Sequence, residues 1–77
     1  MPVITDAAAA WSAPVTLASE ELWQVRSGLA WITTDDPAPA DDAGWLVPAP
    51  HSLRLSAGSV VRYRRGPEPT VIVHGPI

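Results

Sequence analysis

Two histidines, His51 and His74, are the chain's only imidazoles, and cysteine is absent. A zinc or iron site wants three or more protein ligands. No His-x-His spacing occurs, so each histidine is expected to be a surface or satisfied core residue, with no metal site and no cofactor. Asp35, Asp36, Asp41 and Asp42 cluster in one stretch. They lack the glycine and the terminal bidentate glutamate of a calcium loop, and read as a solvated turn. Ser52 follows His51 directly, so on a strand the two side chains point to opposite faces and cannot form a nucleophile–base pair. Neither a Gly-x-Ser-x-Gly elbow nor a phosphate-cradling G-x-x-x-x-G-K loop is present. Glu20 and Glu21 are expected on a turn in solvent. No catalytic residue is predicted. The candidates for ligand contact are His51, Tyr63 and Trp31. The candidates for an interface are Trp11, Trp45, Arg62 and Arg64, because aromatic residues and arginine concentrate at protein contacts.

Charge narrows the partner classes. The net charge is -3 over 77 residues. That opposes a nucleic-acid or anionic-membrane partner, which needs a positive field. The charge is unevenly spread. Residues 1–50 hold Asp6, Glu20, Glu21, Asp35, Asp36, Asp41 and Asp42 against Arg26, whereas residues 51–77 hold Arg54, Arg62, Arg64 and Arg65 against Glu68. Arg62, Arg64 and Arg54 are expected on an outward face. A small domain buries only about 60–65% of its unfolded surface. Four tryptophans are hard to hide in it, which predicts a homodimer closed through aromatic surface.

The elements that must position these residues are short. Nine prolines and five glycines exclude a long helix. No apolar run approaches the roughly 20 residues of a spanning helix. The amino terminus lacks the basic start of a signal peptide, so a cytoplasmic location is expected. Residues 1–13 read as an arm, a loose segment or a short edge strand, and 14–77 as a single β domain. Apolar residues then recur at every second position, over 15–18, 21–26, 29–34, 45–47, 52–55, 59–64 and 70–74, with turns between. This predicts an all-β fold, a small antiparallel roll or partly closed barrel of six or seven short strands.

Two hairpins are expected. A three-residue loop 56–58 sets Leu55 against Ser59 and Leu53 against Val61, puts Gly58 in a left-handed conformation, and places His51 opposite Tyr63 on the inner face. Around Gly28 a two-residue loop sets Val25 against Ala30, and a three-residue loop sets Val25 against Leu29. That choice decides whether Trp31 is core or belongs to a second surface.

The pattern Gly28-Leu-Ala-Trp31-Ile-Thr33, an acidic stretch, Asp42-Ala-Gly-Trp45-Leu46, then Ser52-Leu-Arg-Leu-Ser-Ala-Gly58 resembles a family of small bacterial cupin-like all-β domains of unknown function. The resemblance spans residues 15–74. It implies a small double-sheet roll and carries no assigned functional residue. Here Pro48-Ala49-Pro50 replaces the family's glycine after Trp-Leu, and the acidic stretch is longer, which bears on the local turn. True cupin enzymes bind metal through two or three histidines and a carboxylate, a set this chain does not spell out.

The expected function is therefore a non-catalytic interaction or small-ligand-binding β module. A reduced cupin-type enzyme or metal-binding protein is the first alternative. An accessory subunit docking an acidic protein partner through its arginine face is the second.

Overall fold

Alternating apolar residues build strands whose two faces meet different surroundings, and the fold follows from which strands pair. The computed structural model describes residues 2–34 and 44–77. The acidic stretch at 35–43, and with it the expectation of a solvated aspartate loop, lies outside the described residues. Eight strands occur among the rest: β1 (Val3–Ile4), β2 (Val15–Thr16), β3 (Glu21–Ser27), β4 (Leu29–Thr33), β5 (Trp45–Pro48), β6 (Ser52–Leu55), β7 (Val60–Arg65) and β8 (Val71–Pro76). The protein is all-β, as the alternation predicts. The strands exceed the six or seven expected because residues 3–4 of the arm pair with β8.

Two four-stranded antiparallel sheets form, in the orders β1-β8-β3-β6 and β2-β7-β4-β5. The adjacent pairs β1–β8, β2–β7, β3–β6 and β4–β5 nest inside one another. The chain is one long hairpin with its apex between β4 and β5. It is rolled until β8 also meets β3 and β7 also meets β4.

The core lies between the sheets. Trp23 and Val25 of β3, Ile72 of β8 and Leu55 of β6 pack against Ala30 and Ile32 of β4, Val47 of β5 and Val61 of β7, all buried. Leu17 seals one end. Its N–H donates to Ser59 O at 2.9 Å and its carbonyl accepts from Gly58 N–H at 2.8 Å. Trp23 is fully buried. A tryptophan buries about 150–250 Å², so at about 25 cal/mol per Å² it stabilises the fold by about 4–6 kcal/mol.

Neither expected hairpin forms. β3 and β4 lie in different sheets, as do β6 and β7. Val25 pairs with Ile72, and Trp23 with His74 and Leu53. Leu53 pairs with Trp23 instead of Val61, and Val61 pairs with Val15. The segments around Gly28 and Gly58 are corners that carry the chain from one sheet to the other. Alternation names the inward face correctly in either arrangement, which is why it could not separate a hairpin from a corner. Gly58 does take positive φ, +83°. Gly28, at φ +73°, is more constrained. A Cβ there would sit 2.6 Å from Pro69 O and 2.7 Å from Thr70 Oγ1. The buried Thr70 hydroxyl faces Leu29 O at 2.9 Å and Glu68 O at 3.1 Å, tying this corner to the β7–β8 turn.

The amino-terminal arm runs along the sheets. Arg65 N–H donates to Ala8 O at 2.9 Å and Ser12 N–H to Tyr63 O at 2.9 Å, so the arm extends the β2 edge beside β7. No helix among the described residues is long and apolar enough to cross a membrane.

Candidate functional site

One polar cluster among the described residues forms around Trp23. Glu21 and Trp23 stand two apart on β3, so both side chains face inward, and β8 sets His74 opposite Trp23. Glu21 Oε1 accepts from Trp23 Nε1–H at 3.1 Å and lies 3.0 Å from His74 Nδ1. An ionised carboxylate can only accept, so in this contact Nδ1–H is the donor. The imidazole stacks on Trp23, with centroids 4.1 Å apart and planes at 18°. Tyr63, from the opposite sheet, tilts against Trp23 at 5.9 Å. The His74 and Glu21 side chains are 14% and 16% exposed. Glu21 thus corrects the expectation of a solvent turn: the strand begins one residue after Glu20 and turns its first side chain inward.

This arrangement can orient an imidazole. Among the described residues no three histidine, aspartate or glutamate side chains gather as a metal would require. A solvent-open cleft of about 330 Å³ lies elsewhere, lined by Gly28, Leu29, Pro48, Ala49, Pro67 and Glu68. Gly28 lies seven positions beyond Glu21, roughly 23 Å of extended chain. The oriented imidazole and the cleft are therefore at opposite ends of β3.

The three ligand candidates fall in three places. His51 is exposed in the turn after the cis Ala49–Pro50 peptide, which corrects its expected position opposite Tyr63. Tyr63 lies inside against Trp23. Trp31 lies on the outer face of the second sheet, paired with Arg64 and Leu46, so the second-surface reading holds.

The interface candidates divide into two groups. The Arg64 guanidinium carbon sits 5.5 Å from the Trp11 ring centroid and 5.1 Å from that of Trp31, a cation between two π-faces. Arg62 Nη1 donates to Ser12 O at 3.4 Å and Arg64 Nη1 to Ala9 O at 3.5 Å. Trp11, Arg62 and Arg64 thus hold the arm across this face. Trp45 stands apart: it is 52% exposed, beside Leu46 at 51%, on edge strand β5.

Sequence reasoning missed the Glu21–His74 pair. The spacing Thr70, Ile72, His74, whose first two members are buried, is the signal that could have placed His74 inward. Its partner depended on the β3–β8 register, which joins residues 53 positions apart. No family model, curated protein or solved structure matches the chain.

Proposed function

We propose that the chain is a non-catalytic interaction module, a miniature jelly roll whose contact surface is the β5 edge. The strand order of two interlocked four-stranded sheets is the one shared by jelly rolls and cupins, which supports the cupin-like reading of the architecture. Between the sheets, the space where a cupin enzyme holds its ligand is filled by Trp23, Ile32, Ile72, Val25 and Val61. The observation that carries the reading is β5 itself. It exposes two large apolar side chains, Trp45 and Leu46, and bears no charge. Natural edge strands are blunted by charge or cover because exposed apolar ones recruit other chains.

A reduced cupin-type protein is the second reading, favoured by the inward Glu21–His74 pair. Metal analysis of protein purified without chelator separates the two. The interaction reading expects substoichiometric iron, manganese and zinc. One tightly held ion per chain, lost in His74→Phe, would replace it with the metal-protein reading.

A further inference from the structure

We propose that the cleft beside the β3–β4 corner is a binding site for a small organic cation, an ammonium group carried on a compact apolar body. It adds a small-molecule site to the protein contact at β5. The sequence sets its floor. Leu29 pairs with Pro48 in the β4–β5 ladder, so both side chains share one face of that sheet. It is the outer face, because Trp31 stands two residues on along β4. The corner residue Gly28, Ala49 just past β5, and Pro67 and Glu68 of the turn between β7 and β8 complete the cleft of about 330 Å³.

Three separate segments form these walls, and two neighbouring carbonyls tie them together. Ala49 N–H donates to Gly28 O at 3.0 Å, while Gly66 N–H and the Thr70 hydroxyl both reach Leu29 O at 2.9 Å. Close packing holds the same segments. A Cβ on Gly66 would lie 2.8 Å from Leu29 Cγ, and one on Gly28 would lie 2.6 Å from Pro69 O. Pro48 and Pro67 have φ fixed by their rings. The cleft is therefore formed before a ligand arrives, and binding does not have to order its walls.

Its chemistry is one-sided. Leu29, Pro48, Ala49 and Pro67 present hydrocarbon, which suits an apolar body. Neither proline has an N–H, and the Ala49 N–H is already taken by Gly28 O. Glu68 is the only ionisable residue of the six, and an ionised carboxylate can only accept hydrogen bonds. Among the described residues no cation pairs with it: Arg54 lies against Glu20, and Arg65 Nη1 donates to Gly66 O at 2.9 Å. A ligand that donates and carries positive charge completes this set, whereas an anion meets the like charge of Glu68. The volume is at the lower end of the roughly 300–1,000 Å³ of ligand sites, enough for one ring or a short branched chain. An exposed ion pair contributes little in water, so apolar contact supplies most of the affinity and the charge selects the ligand. For so small a ligand Kd is about 0.1–5 mM.

Amide-resolved NMR titration of the full chain with benzylammonium, to about 20 mM, tests this. Saturable shifts are expected at Gly28, Leu29, Ala49 and Glu68. Benzyl alcohol, the neutral isostere, should bind about two- to fivefold more weakly, and benzoate more weakly still. Glu68→Gln, in an exposed turn, should erase the preference for the amine and leave the alcohol unchanged. Pro67→Ala, in the same turn, removes part of the apolar wall and should weaken amine and alcohol alike. Benzylammonium shifts that do not saturate, or that fall outside the cleft, overturn the proposal. So does equal binding of amine and alcohol, or a preference for the amine that survives Glu68→Gln.

Discussion

Glu21→Ala is the sharpest probe of the interior. The substitution strands two donors at once. Trp23 Nε1–H is buried and loses an acceptor at 3.1 Å, and His74 Nδ1–H loses one at 3.0 Å. A buried donor without a partner costs about 1–3 kcal/mol. His74 is 14% exposed and can recruit water, so its share falls at the lower end. The expected loss is about 2–4 kcal/mol. A chain of this size has a total stability of about 4–12 kcal/mol. At about 4–8 °C per kcal/mol, Tm should fall by roughly 8–32 °C. His74→Phe keeps a ring stacked on Trp23 and removes the nitrogen, so Glu21→Ala combined with His74→Phe forms a cycle that isolates the hydrogen bond. Urea unfolding followed by tryptophan fluorescence should give a coupling of about 1–2 kcal/mol. A Glu21→Ala loss under about 0.5 kcal/mol, or strict additivity in the cycle, would refute the account of this cluster.

The remaining predictions concern the corners and the arm. Gly28→Ala combines positive φ with a collision against Pro69 O and should cost more than about 2 kcal/mol in thermal unfolding, whereas Gly58→Ala, with open space around the new Cβ, should cost about 1 kcal/mol. Thr70→Val deletes the hydroxyl facing Leu29 O and should cost about 1–2 kcal/mol by chemical denaturation. Trp11→Ala removes one face of the Arg64 stack and should lower stability by about 0.5–2 kcal/mol. It should also speed amide exchange at Ser12 and Arg65, the residues whose N–H groups tie the arm to β7.

The inward and outward faces were readable in the sequence because alternation is a local property. Trp23, Val25, Leu55 and Val61 face the core as their spacing requires, whereas β4 is apolar on both faces and left the choice between Trp31 and Ile32 open. Partners were not readable. Nested pairing joins residues far apart in sequence, such as Val3 with Val73, and no local turn rule sets that register. Reading Gly28 and Gly58 as hairpin loops was the direct result, since corner and hairpin both want a glycine at positive φ. The exposure of Trp45 and the placing of Arg64 between Trp11 and Trp31 were hidden for the same reason. Both depend on which strand lies at an edge and where the arm returns.

The nested pairing also constrains synthesis. β8 is made after the other seven described strands, yet it sits between β1 and β3 in the first sheet. Until it emerges, β1 has no neighbour and β3 has only β6. An emerging amino-terminal half therefore has no stable partial structure to adopt, and its apolar strand faces must wait unpaired through translation. Folding then waits for β8, which joins β1 to β3 in one step, and deleting β8 should abolish it outright rather than trim it.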